Sequence, residues 1–448
     1  MKLKKSLSIF LAIGSLVALQ SCSNTSSTIR SGETPEPTPA PVAEATPAAT
    51  LSPEATPETT PEATPAATPS PKPTPEATPE ATPEAKPTPA KTMADFDMKR
   101  SAKLTDTAKL LAGMKLGEGS AIADLQNTNA WSQQNSFFEN AWSQLESQQL
   151  SKVRKWSDAE LTSINASSPQ IFYPFSGPDF LYAYSLFPNA REYVLVGLEP
   201  PGTLDDFEQL SASAVNSKLQ LARESLYAIL KFSFFRTKDM AVDLSQQGVL
   251  PVLLVFMART NNKILDLQYV ALDKDAQIEV LSEGIAAGKD AITGVKISFV
   301  PEGQSNPRDL YYFSTDLSDA GLAKTPQFAK FVKTKQAPVT YLKAASYLMH
   351  YEEFTDIRNL ILSQSSHVLQ DDSGMPFRHF EPSKWNMKFY GNYIGAIPLF
   401  AEFYQKDLRN MYAQGSGIKP INFGIGYKYY EGSHLMLMSA KDSASASK

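Results

Sequence analysis

Ile171-Phe-Tyr-Pro-Phe-Ser-Gly-Pro-Asp-Phe-Leu-Tyr182 is the stretch on which the fold turns. Its opening residues are β-branched or aromatic and read as a strand. Ser176-Gly177-Pro178-Asp179 then reads as a turn that opens a short helix, with the Asp179 carboxylate meeting free backbone N–H groups. A second strand follows over residues 193–198, beginning Tyr193-Val-Leu-Val-Gly197. Downstream, strand signals come in pairs. Residues 250–257 and 264–272 flank Thr260-Asn261-Asn262, and residues 295–300 and 310–314 flank Pro301-Glu-Gly-Gln-Ser-Asn-Pro307. Both pairs read as hairpins. Val295, Ile297 and Phe299 alternate, which gives that strand one buried face. Residues 385–393 are strand-like, and 421–427 with 435–438 read as a last hairpin through Glu431-Gly432-Ser433. Adjacent hairpins predict an α+β fold with an antiparallel or mixed sheet, not a βαβ array.

Helices surround these strands. Residues 94–112 and 132–156 have helical periodicity, and in the second Phe137, Phe138, Ala141, Trp142 and Leu145 share a face. Ser157 reads as the cap of a further short helix. Residues 210–235, 340–351, 354–366 and 398–412 also read as helical. Gly424 and Gly426 lack a third glycine and read as close packing in a strand.

The densest polar group is His367, Asp371, Asp372, Arg378 and His379. These are metal-ligand residue types, but their spacing matches no metal motif. Asp371-Asp372-Ser373-Gly374 is equally a helix stop and turn. Paired carboxylates also suit glycoside hydrolysis, although such groups usually come from separate elements. Asp179, Asp371, Asp372 and His379 are therefore the catalytic candidates, and Ser176, Arg378, Tyr390 and Tyr393 the binding candidates. Ser176 is not in a Gly-x-Ser-x-Gly elbow, so it is no nucleophile candidate. The pattern calls for no metal and no cofactor. Tyr390, Tyr393, Phe400, Phe403, Tyr404 and Tyr412 admit two readings, a glycan-stacking surface or core.

The N-terminus fixes location. Lys2, Lys4 and Lys5 precede an apolar run from Leu7 to Leu19, too short to cross a ~30 Å hydrocarbon layer. Leu19-Gln20-Ser21-Cys22 closes it, and Cys22 is the only cysteine in the 448 residues. This junction resembles the bacterial lipobox. The resemblance implies cleavage after Ser21, lipidation at Cys22 and anchoring to a membrane by two or three acyl chains. Ser23 in place of Asp favours the outer membrane in that family. With no second cysteine, the folded part must be stable without disulfides.

The expected organisation is a signal peptide over 1–21, a polar tether over 22–32, and a disordered linker over 33–92. A folded α+β domain over 93–438 (mainly helical to 170) and a disordered tail over 439–448 complete it. The linker holds 17 of the 32 prolines and no aromatic residue, so it has too little apolar surface to fold. Extended polyproline geometry would let its 60 residues reach roughly 180 Å. A net charge of −5 without a basic stripe argues against nucleic acid as a partner.

Tyr173-Pro-Phe-Ser-Gly-Pro-Asp-Phe-Leu181, Leu369-Gln-Asp-Asp-Ser-Gly-Met-Pro-Phe377 and Tyr390-Gly-Asn-Tyr393 together resemble a set of uncharacterised bacterial secreted proteins. The resemblance spans residues 171–427. It implies no activity and no catalytic residues, only that the three phrases share one pocket. Two functions fit the whole chain. One is a cell-envelope lipoprotein that binds an envelope protein or glycan, or is structural, on a long tether. The other is a hydrolase acting on envelope glycan or peptide.

Overall fold

Alternate residues of the central strands enter two different cores. In β1 (Gln170–Tyr173), Ile171 and Tyr173 face one way and Phe172 the other. In β2 (Glu192–Gly197), Tyr193 and Leu195 oppose Val194 and Val196. A strand covered on both faces must be almost continuously apolar, which is the texture of the central parallel strands of a layered sheet. The computed structural model describes residues 91–232, 248–282, 291–415, 417–429 and 433–441. The expected signal segment, Cys22, the tether, the linker as far as residue 90 and the last seven residues of the tail lie outside the described residues.

Eight further strands complete one sheet: β3 (Asn262–Leu272), β4 (Ile278–Val280), β5 (Ile292–Pro301), β6 (Arg308–Ser314), β7 (Val339–Leu342), β8 (His367–Gln370), β9 (Trp385–Gly391) and β10 (His434–Ala440). Their order is β4-β3-β5-β6-β2-β1-β7-β8-β10-β9. The fold is α+β, with a mixed sheet. Antiparallel pairing holds at the flanks, where β4, β3, β5 and β6 pair in turn, as do β8, β10 and β9, and of the three expected hairpins only that of β5 and β6 forms. It fails at the centre, where β6, β2, β1, β7 and β8 run parallel. Four-residue strands such as β1, β7 and β8 are too short to display a period, so their parallel pairing left no mark in the sequence.

The connections leave the centre in opposite directions. From β1 the chain passes through the Phe180–Leu186 helix, packed on the first core, to β2 on one side. From β7 it passes through the Thr355–Gln364 helix, packed on the second core, to β8 on the other side. Helices on opposite faces keep both crossovers of one hand. The order therefore reverses between β1 and β7, the point at which sheets of this kind form a crevice beyond the carboxyl ends of their strands.

Other expectations change. Residues 250–257 form no strand but the Leu250–Arg259 helix, whose residues 250–258 are all buried. An apolar helix covered on every side has no polar face to betray its period. The helix read over 340–351 is β7 followed by a 3-10 turn, Ala344–His350. The helix read over 398–412 is broken at Gln405, leaving a 3-10 turn (Pro398–Phe403) and the Lys406–Ala413 helix. Gln405 serves another purpose: its N–H donates to the Tyr393 hydroxyl (3.0 Å), its Oε1 accepts from Phe377 N (2.7 Å) and its Nε2 donates to Asp372 O (3.2 Å). Ser157 is no cap. It lies inside the Ser151–Glu160 helix and donates to Leu186 O. Residues 421–427 form no strand: Gly426 opens a 3-10 turn (Gly426–Lys428), Gly424 packs closely against the backbone of Lys428 and Tyr429 outside any strand, and β10 pairs with β8 and β9 instead. Ser439 and Ala440, expected in a disordered tail, are the last residues of β10, and Ala440 N donates to Ser366 O. No helix among the described residues is long and apolar enough to cross a membrane.

Candidate functional site

The crevice between β1 and β7 is filled by the chain's own charges. Asp179 caps the Phe180–Leu186 helix, accepting from Tyr182 N at 3.2 Å. Lys343 directly follows β7, and its Nζ lies 2.5 Å from Asp179 Oδ2 and 3.9 Å from the centre of the Tyr182 ring. The Tyr173 hydroxyl, at the end of β1, donates to the same Asp179 oxygen at 2.9 Å. Two carboxylates follow β8. Asp371 accepts from the backbone and hydroxyl of Ser373, in the turn that the sequence suggested. Asp372 accepts from the Tyr347 hydroxyl at 2.8 Å and pairs with Lys428 at 3.2 Å through both oxygens. Lys428 also donates to Gly395 O. Asp179, Lys343, Asp371, Asp372, Lys428 and His434 are all at most 6 % exposed.

Electrostatics follow from that burial. Three carboxylates face two ammonium groups. Burial, and then the adjacent Asp372, push the Asp371 carboxyl up to about 7, against the Ser373 donors and Lys428. A proton on Asp371 brings the cluster to charge balance. Burial pulls Lys343 below the usual lysine range, while Asp179 and Asp371 oppose the shift. His434 is lowered to about 4 by burial, with Asp372 opposing, and is neutral at pH 7. Its Nε2 stands 3.5 Å from Asp372 Oδ1, and neither ring nitrogen completes a hydrogen bond. Such a network adds little net stability over an apolar core, but removing one partner is costly. Each of its three carboxylates accepts at least one hydrogen bond from within the chain.

The structure thus joins Asp179, Asp371 and Asp372, places Tyr393 and Ser176 beside them, and keeps His379 and Arg378 apart. Ser176 is buried and fastens the turn after β1 to Val196, donating to its carbonyl and accepting from its N–H. His379 is half-buried beside Arg358 and Arg378, and burial followed by those two cations lowers it. His367 opens β8, whereas Asp371 follows its last residue, so the two lie at opposite edges of the sheet. Arg378 is exposed and lines a cavity of about 630 Å³ with His350, Glu402, Lys406 and Asp407. Tyr393 lies beneath Lys428, whose Nζ is 5.3 Å from its ring centre. Tyr390, Tyr393, Phe400 and Tyr412 are buried, so most of that aromatic group is core. Among the described residues no group of three or more His, Cys, Asp or Glu is placed to hold a metal ion.

A second feature lies elsewhere, and the sequence reading missed it. Between the Asn129–Leu145 and Ser151–Glu160 helices the chain makes a π turn, Glu146–Leu150, without leaving helical backbone angles at Leu145 or Leu150. One extra residue in a turn re-aims the side chains around it, and such turns recur at functional sites. Here they border a groove of about 920 Å³. Gln144, Gln148, Gln149 and Lys152 line it from the π-turn side, and Tyr227 and Leu230 from the Ala212–Phe232 helix. Asn392, Ile421, Asn422, Phe423 and Tyr429 close it. Gln149 is buried and donates to Gly424 O, tying the π turn to the opposite wall. Lys419 bridges in parallel to Tyr390 and pairs with Glu160 at 2.6 Å, and the Tyr390 hydroxyl donates to Glu160 at 2.9 Å. Burial works against the Glu160 carboxylate, but Lys419 and Tyr390 outweigh it and hold its pKa below the usual value. The 419–424 wall is therefore fixed at both ends. The visible signal was Gln144, Gln148 and Gln149 on a stretch whose other face is apolar.

Comparison with protein-family models, curated proteins and solved structures returns no match to this chain.

Proposed function

We propose that this chain is a binding module of the cell envelope, anchored through Cys22 and holding a saccharide in the groove beside the π turn. The lining of that groove carries the reading. Side-chain amides of Gln144, Gln148, Asn392 and Asn422 supply donors and acceptors together, and Phe137, Tyr227, Phe423 and Tyr429 supply aromatic rings. Sugars present hydroxyls at the ring edge and C–H groups on the ring faces, so a groove lined with amides and aromatic rings matches them. The buried aspartates support binding over hydrolysis, since each is engaged by internal donors or ammonium groups. The linker after Cys22 would give the groove reach away from the membrane.

Co-sedimentation of the purified full chain with insoluble envelope glycan tests this reading, with released reducing ends measured in the same tubes. The chain should sediment with the glycan, Tyr227→Ala should stay in solution, and no ends should appear. A steady release of reducing ends would make the hydrolase reading correct instead. A chain that stays in solution would leave the groove without its proposed ligand.

A further inference from the structure

Resting on the saccharide reading, we infer that the groove selects an N-acetylated amino-sugar chain, and that Lys152 meets an acidic substituent on it. Ala141, Leu145, Gln148 and Lys152 follow one another at four- and three-residue steps down one helix side, across the π turn. Two apolar positions are thus followed by an amide and a cation along this side, Gln144 adds an amide beside Leu145, and Leu230 and Ile421 add apolar surface from the facing walls. A hexose chain bearing only hydroxyls gives such aliphatic recesses nothing to bury. An acetamido group carries a methyl for the recess, and beside it a C=O and an N–H that pair with a side-chain amide at both ends. Gln144 and Gln148 are exposed, line the groove and carry side-chain amides capable of that pairing. Tyr227, 49 % exposed, brings an aromatic side chain to the groove from the facing helix. Lys152 is the single charged side chain among the described lining residues, one turn beyond Gln148. A cation that is single among the described lining residues suits a carboxylate borne on some of the sugars and not on every one.

Calorimetric titration of the purified full chain with three defined probes decides the matter: cellotetraose, chitotetraose, and a tetrasaccharide alternating N-acetylglucosamine with its lactyl ether, N-acetylmuramic acid. Chitotetraose should bind about tenfold more tightly than cellotetraose, the scale of one or two amide hydrogen bonds. The lactyl-bearing probe should bind more tightly still. Lys152→Met should remove only that last increment, and Gln148→Ala only the preference for chitotetraose. Both positions lie on the groove side, and unchanged thermal midpoints would show that the variants fold. Equal binding of cellotetraose and chitotetraose would overturn the acetamido inference and leave the saccharide reading standing. An unaltered lactyl increment in Lys152→Met would overturn the role of Lys152. Binding of none of the three, or displacement of the probes by an unrelated extended peptide, would overturn both readings.

Discussion

Replacing Lys343 with Met tests the buried cluster directly. The Lys343 side chain is 3 % exposed and that of its partner Asp179 is 2 % exposed, at 2.5 Å. Met keeps most of the volume and removes the charge. Asp179 then retains only the Tyr173 hydroxyl and Tyr182 N–H as donors, for a carboxylate that water cannot reach. Leaving one member of a buried pair uncompensated costs about 3–5 kcal/mol. Asp179→Asn should cost a comparable amount, because it removes the carboxylate that the buried Lys343 ammonium pairs with. The double variant Asp179→Asn/Lys343→Met should recover much of the loss, since neither charge remains. Urea titrations of all four chains, followed by tryptophan fluorescence, give the coupling from midpoints at a common slope. A loss below about 1 kcal/mol in Lys343→Met, or strictly additive single variants, would mean that the pair is solvated and the crevice is open.

Asp371 gives the cluster a pH signature. Its native pKa is raised to about 7, so between the ordinary carboxyl value and 7 the native state holds a proton that the unfolded chain has lost. Its contribution is therefore full in acid and is lost as pH rises through 7, by as much as about 4 kcal/mol. His350, His367 and His434, each lowered to about 4, give the opposite slope, so the Asp371 share is read as wild type minus Asp371→Asn. The Asn variant should gain relative stability between pH 5 and pH 8, and parallel curves would contradict the assignment. Gly426 has φ +61°, and a Cβ there would lie 3.1 Å from Lys343 Cγ. Gly426→Ala should lower stability by about 1–2 kcal/mol in the same urea assay. Gln149→Ala leaves the Gly424 carbonyl without the amide it accepts from. It should lower stability by about 1–3 kcal/mol, with faster hydrogen exchange in residues 421–425.

What the sequence disclosed depended on segment length and on local chemistry. The turn before Asp179 and the helix it caps were legible because the cap, the Pro and the Gly act within five residues. The β5–β6 hairpin was legible from the alternation of Val295, Ile297 and Phe299, which all enter the first core. Asp179, Asp371 and Asp372 were legible as candidates, yet not the lysines that neutralise them. Lys343 was hidden because Thr340-Tyr-Leu342 reads as the start of a helix, although a lysine closing the β-branched and aromatic run Val339-Thr-Tyr-Leu342 was the available clue. Lys428 lies 56 residues from Asp372, and no spacing rule connects them. The groove was illegible for a different reason. Its walls come from residues 137–152, 227–230 and 391–433, and the π turn that aims the glutamines has no composition of its own.

Hydrogen–deuterium exchange of the full chain, with and without saturating chitotetraose, tests the central claim most directly. Ligand in the groove should slow exchange in residues 141–152 and 420–424, which face each other across it, and leave residues 369–375 around the buried aspartates unchanged. Unchanged exchange throughout the groove, or protection confined to residues 369–375, would contradict the assignment of the binding site.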